Sequence, residues 1–341
     1  MELKSAFRWH ADDNIFMLVA AMYIVHHKEF NLTRYQTLTN DIKNKVGVFS
    51  YLKSLQRFTT AATLDITCQD PNQGFEKLMK IYEGLIESGF SRTPYAYIAA
   101  GTLLKVEDTM IHKFAKKSHD IYRGMKEHHY FLTGSADYPL ATLLAQGNGD
   151  VAESIDRTEV YYELLKKKGF YKGHSLQFLS HILTLVNNPH PDDLVKKCLE
   201  VLEILKKKGI RVKRSYYPFV GILALLDQPD EQINLVLSLL QNLYVDKQFK
   251  WKKDINFMIT VVLIIREKID LGDIAIAGLN TSIEAIIQAQ QAAMVASISA
   301  NTASQAVGEN KLILKQWISL FFMGKFKLFY WKSEVVHIYL G

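Results

Sequence analysis

From residue 46 to residue 265 the chain alternates between two kinds of apolar pattern: stretches with apolar residues at helical spacing, and shorter stretches apolar almost throughout. Four of the amphipathic stretches align without a gap: YEGLIESGF (82–90), YRGMKEHHY (122–130), YELLKKKGF (162–170) and LEILKKKGI (202–210), a step of forty residues each time. Gly89, Gly169 and Gly209 stand where a helix ends in a left-handed residue, a conformation glycine enters at no side-chain cost. The next residue, Phe90, Phe170 or Ile210, is placed to touch Leu85, Leu165 or Leu205, the apolar contact of a Schellman stop. A short polar turn and an apolar helix follow each time: PYAYIAAGTLL, YPLATLLA, SLQFLSHILTLV and SYYPFVGILALL. Thr93 before Pro94, and Ser215 ahead of Pro218, read as helix starts. Breakers at Asp70-Pro71, Glu107-Asp108, Gly147 to Asp150, Asn188 to Asp193 and Gln228 to Asp230 close the units.

An earlier unit is visible in VGVFSYLKSLQRFTTAATL (46–64) and a later one in YVDKQFKWKKDINFMITVVLII (244–265), each with a register slip. The pattern predicts an all-α protein, an α-solenoid of about six helical hairpins whose forty-residue period matches HEAT and armadillo repeats. The expected organisation is an N-terminal capping helix (1–34), a helical-repeat domain (35–268), a helical tail rich in alanine, serine and glutamine (269–308) and a basic aromatic extension (309–341).

With 341 residues, 48% of them hydrophobic, the chain can bury a large core. Cys68 and Cys198 have neither metal-knuckle nor disulfide spacing, and the N-terminus lacks a signal-peptide pattern, so the expectation is a cytoplasmic protein. The apolar run Ile15 to Val25 is too short to span a bilayer and reads as a buried helix; His26-His27 at its end complements the helix dipole. The net charge of +6 matters less than its placement. Successive hairpin tips carry Lys166, Lys167, Lys168 and Lys172, then Lys206, Lys207, Lys208, Arg211, Lys213 and Arg214, then Lys247, Lys250, Lys252 and Lys253. Such an edge suits an acidic protein or a phosphate-bearing surface. The aromatic stacking platforms and arginine-rich elements of nucleic-acid readers are not evident, so nucleic acid is not the expected partner.

Candidate chemistry concentrates in EHHYFLTGSADYP (127–139). In register, His129 occupies the glycine column, with Met125 and Tyr130 as the apolar pair, so a left-handed His129 is expected. His128, His129, Thr133 and Asp137 form the candidate functional turn, with Thr133 or Asp137 capping the helix that Pro139 enters. Imidazoles with a carboxylate also admit a zinc or iron site built from His112, His119, His128, His129 and Asp137, and hence a metal-dependent enzyme. No HExxH, GxSxG, P-loop or GxGxxG pattern accompanies them, so no cofactor is expected.

Beyond the repeats, AIIQAQQAAMVASISA reads as a docking helix, and KLILKQWISLFFMGKFKLFYW mixes lysines with aromatics as membrane-interface segments do, which admits peripheral membrane contact through residues 311–332.

In VGVFSYLKSLQRFTTAATLD (46–65), ESGFSRTPYAY (87–97) and HHYFLTGSADYPLATLLA (128–145), with Gly47, Phe49, Ser50, Ser54, Arg57, Phe58 and the double histidine, the chain resembles a family of uncharacterised bacterial proteins of similar length. The resemblance covers most of residues 1–308 and implies a bacterial cytoplasmic protein; it supplies no activity and no catalytic residue. The segment after Glu309 departs from that pattern. The reading that follows is an interaction scaffold for a protein partner, with no chemistry of its own.

Overall fold

A computed structural model describes residues 13–270, apart from 148, 187–189, 246–249 and 251, together with Ile283 and Ile287. The C-terminal helix and extension expected beyond residue 270, Lys247 on the basic edge and the first twelve residues of the expected cap lie outside the described residues, Ile283 and Ile287 apart. Among the described residues every regular element is helical: α1 (Asp13–Val25), α2 (Leu32–Lys45), α3 (Gln56–Thr67), α4 (Pro71–Glu87), α5 (Pro94–Thr102), α6 (Ile111–His128), α7 (Tyr138–Ala145), α8 (Val151–Lys167), α9 (His174–Leu185), α10 (Pro191–Lys207), α11 (Tyr217–Ala224), α12 (Pro229–Val245) and α13 (Lys253–Asp270). Short 3-10 turns precede α3, α6, α7 and α11.

Local chemistry sets the boundaries. The Asp70 carboxylate accepts hydrogen bonds from the Asn72 and Gln73 amides at 2.8 and 3.4 Å, with Pro71 opening α4. Asp150 accepts from the Glu153 amide at 2.7 Å and starts α8 in the same way. At the other ends α4, α8 and α10 close with Schellman stops: the amides of Phe90, Phe170 and Ile210 donate to the carbonyls of Leu85, Leu165 and Leu205 at 3.1, 3.2 and 2.9 Å. Gly89, Gly169 and Gly209 take the left-handed position, with φ of 115°, 97° and 79°.

Consecutive helices pair as α2/α3, α4/α5, α6/α7, α8/α9, α10/α11 and α12/α13. The second helix of each pair packs on the second helix of the next, and the first on the first, giving two layers. Hydrophobicity sorts them. Every residue of α7 and α11 is buried, whereas α4, α6 and α10 each bury one stripe and turn charged residues outward. Inner helices approach closely where side chains are small, as at Gly221 of α11, where a Cβ would come within 2.5 Å of a Leu179 methyl of α9. Hydroxyl pairs join them as well: Thr102 of α5 donates to Thr142 of α7 at 2.8 Å.

α1 is apolar all round and buried from Ile15 to Tyr23, because it packs on α3 and also on α13. The first and last of the described helices therefore touch. The buried Asp65 of α3 holds this end together, accepting from the Tyr23 hydroxyl of α1 at 2.6 Å and pairing with Arg34 of α2 at 2.8 and 3.0 Å. No described helix is long and apolar enough to cross a membrane.

Candidate functional site

The turn after α6 does not take the left-handed form expected of it. His129 has φ −131° and ψ 59°, and its amide donates to the Met125 carbonyl at 3.0 Å as one more α-helical bond. The chain then turns without a positive φ, with the Leu132 and Thr133 amides both donating to the His129 carbonyl at 3.0 and 2.9 Å. Tyr130, expected to close on Met125, is instead exposed while Met125 is buried. A left-handed histidine does exist, but at the other histidine pair: His27, φ 50°, ends α1 in a Schellman stop, its neighbour Lys28 donating to Tyr23 at 3.0 Å.

The side chains explain the departure. The His129 ring turns inward, lies tilted on Tyr162 at 4.3 Å and brings Nε2 within 3.0 Å of Glu159 Oε1, at ion-pairing distance although the ring nitrogen is not aligned for a hydrogen bond. Thr133 donates its hydroxyl to the Met125 carbonyl at 3.1 Å and accepts from the Gln177 amide group at 2.8 Å, which joins the end of α6 to α9. Asp137 caps in the reverse sense, accepting from the Gly134 amide at 2.9 Å, and lies 3.8 Å from His174 Nδ1. Its burial pushes the carboxyl above its usual range, opposed by His174 and the Gly134 amide. His128 points into solvent.

Four residues that join this network carried no signal in the turn itself: Glu159, His174, Gln177 and His181. Gln177 and His181 stand four apart on α9, where both are buried, and are visible in SLQFLSHILTL. His181 is fully buried; its Nδ1 lies 2.6 Å from the Gln177 carbonyl, so that nitrogen carries the proton and Nε2 keeps a lone pair. His181 Nε2 and Gln177 Oε1 have no hydrogen-bond partner among the described residues. Burial pushes the His181 pKa down to about 4, leaving the ring neutral. Burial pushes the Glu159 carboxyl up, but the close approach of the His129 ring nitrogen, with smaller charge effects from His128 and His181, outweighs it and leaves it below its usual range.

The metal candidates do not converge. His112 is exposed on α6, and His119 packs against Gly89 and Phe90, 5.5 Å from the Phe90 ring. Among the described residues no three histidine, cysteine, aspartate or glutamate side chains come together as a metal would need. The turn is a polar joint between α6, α8 and α9.

The hairpin tips differ more from a bland surface. Residues one past the stop, in steps of forty, are Ser91, Phe131, Tyr171 and Arg211, all exposed, with Phe131 95% exposed. Tyr130 stands beside Phe131 with Lys126 over its ring at 5.3 Å, and Arg214 lies over Tyr171 at 4.6 Å. Part of the basic edge is neutralised locally: Lys166 pairs with Glu163, Lys208 with Asp230 at 3.1 Å and Lys213 with Asp254 at 2.7 Å. Lys167, Lys168, Lys206, Lys207, Arg211 and Arg214 are exposed.

The chain belongs to the family described as "Protein of unknown function (DUF4003)", whose model matches residues 1–292. It is 37% identical over 307 residues to the uncharacterized protein YeaA of Bacillus subtilis (strain 168), covering 89% of this chain and 92% of that one. No solved structure matches.

Proposed function

We propose that the protein is a non-enzymatic interaction scaffold, its helix pairs being units of one forty-residue repeat of HEAT/armadillo-like period, and that the hairpin tips between α6 and α7 and between α8 and α9 receive an acidic segment of a protein partner. The observation that carries this reading is the exposure of Tyr130, Phe131 and Tyr171 together, with Lys126 and Arg214 against two of the rings. Large apolar rings grouped in solvent at neighbouring tips mark a contact surface more than a scattered apolar residue does. Aromatic and arginine side chains supply most of the energy of protein interfaces, and the exposed lysines of the adjoining edge favour an acidic partner.

The test is an array of acidic peptides bearing leucine or phenylalanine, probed with the full-length chain and with a Phe131→Ser, Tyr171→Ser variant. Binding by the wild type that falls with salt and is mostly lost in the variant is expected. Equal binding by the two proteins, or binding indifferent to peptide charge, would overturn the reading.

A further inference from the structure

A cavity of about 350 Å³ opens between the α2–α3 connection, α4 and α5, away from the tips already described. Its floor is two stacked tyrosines, Tyr82 and Tyr97, with ring centroids 4.0 Å apart and planes within 9°, both almost fully buried. Ser50 Oγ lies 3.2 Å from the Tyr97 hydroxyl. Val46, Phe75 and Met79 supply apolar wall, and Phe49, 99% exposed, stands at the rim. Two cations border the mouth. Lys45 donates to Asn72 Oδ1 at 3.0 Å and sits 5.8 Å from the Phe75 ring; Arg92 grips both oxygens of Glu83 at 3.0 and 2.9 Å.

The charges settle what the cavity lacks. Among the described residues that line it, Glu83 is the one carboxylate and already has both oxygens engaged by Arg92, whereas Lys45 keeps protons beyond its bond to a neutral amide. Burial, reinforced by the neighbouring Tyr97 hydroxyl, holds the Tyr82 phenol well above its usual range, so it stays protonated as a hydrogen-bonding group. Apolar and aromatic walls, hydroxyls at the floor and an excess of positive charge at the rim suit a ligand with an apolar body and one negative group. The volume lies at the small end of ligand pockets.

We propose that this cavity binds a small carboxylate with an aromatic or alkyl body, its apolar part against Tyr82, Phe75 and Met79 and its carboxylate held at Lys45. Phe49 closes over the bound body, which gives a fully exposed phenylalanine a function. The site is independent of the tip surface, and its residues are not among those altered in the tip variant.

The experiment is calorimetric titration of the full-length chain with 4-phenylbutyrate and with the neutral 4-phenylbutyramide of the same shape. Saturable binding of the acid, one per chain, is expected, with the amide roughly tenfold weaker for loss of a charge-assisted contact. Lys45→Gln should weaken the acid and leave the amide unchanged, and Phe49→Ala should weaken both; both positions are exposed, and an unchanged melting temperature shows that the fold is kept. A peptide ending in phenylalanine with a free carboxylate, beside its C-terminal amide, distinguishes a free acid from a polypeptide end, since whichever carboxylate binds more tightly identifies the source. No saturable binding by either carboxylate up to millimolar concentration, equal binding of acid and amide, or indifference to Lys45→Gln overturns the proposal. Phe131→Ser with Tyr171→Ser should leave these titrations unchanged, so this site and the tip surface fail or stand separately.

Discussion

His129 Nε2 lies 3.0 Å from Glu159 Oε1, and forty residues earlier in the same register His119 packs on Gly89. The two pairs are counterparts. At the first, the stop residue is a glycine so confined that a Cβ would meet the His119 Nε2 at 2.6 Å, and the facing helix supplies the ring. At the second, the stop position supplies the ring and the facing helix a carboxylate. The size and charge exchanged between the partners explain why the glycine column is broken at this one stop.

The first prediction concerns that confinement. Gly89→Ala should destabilise the protein more than Gly169→Ala or Gly209→Ala. All three carry the left-handed cost of about 1 kcal/mol, but no atom lies within 4 Å of the Cβ position at Gly169 or Gly209. Chemical denaturation of the three variants measures the difference, and His119→Ala added to Gly89→Ala should recover part of the loss. Equal costs at all three glycines would refute the packing argument.

Glu159→Gln should cost on the order of 1 kcal/mol at pH 7, the scale of a partly exposed ion pair. The Glu159 carboxyl titrates lower folded than unfolded, so its contribution is present above the ordinary carboxylate range and lost as pH falls through the folded value. The stability gap between wild type and variant should therefore close on acidification. A gap that widens below pH 4 would reverse the assignment.

His181, a base, gives the same direction of pH dependence from a different cause. Its folded pKa of about 4 lies below the unfolded value near 6.5, so the unfolded chain takes up a proton first. Stability should fall as pH drops through that window, by at most about 1.4 kcal/mol per pH unit from this residue. Titration of the ring by NMR should show it neutral at pH 6, and His181→Leu should remove that part of the acid sensitivity. A ring that titrates near 6.5 would contradict its burial.

Phe131→Ser should change stability by less than about 0.5 kcal/mol, as for a side chain in solvent. Phe170→Ala, at the stop of the next unit, removes a ring that is 4% exposed and packs edge-on to Tyr217 at 4.8 Å, and should cost about 3 kcal/mol. Thermal or denaturant unfolding of the two variants separates a ring kept for contact from a ring kept for packing; similar losses would mean that Phe131 is covered in solution.

The sequence by itself determined the helical elements and the glycine stops of α4, α8 and α10. Helical periodicity, prolines at helix starts, breakers such as Asp70-Pro71 and Gly147 to Asp150, and a glycine followed by an apolar residue are local devices. Each acts through backbone geometry within a few residues, so each is readable in order along the chain. The forty-residue step also placed Phe131, Tyr171 and Arg211 in one column, though not their exposure. What only the tertiary structure decided is whatever depends on residues far apart in the chain. His129 was legible as an exception but not as an inward-turned ring, because its geometry is fixed by Glu159 and Tyr162 on another helix, and of the two histidine pairs only His27 meets the conditions for a left-handed stop. The meeting of α1 with α13 and the cavity over Tyr82 and Tyr97 belong to the same class. Burial and electrostatic pairing act through space between helices, and a one-dimensional pattern carries the residue types for such contacts but not the partners.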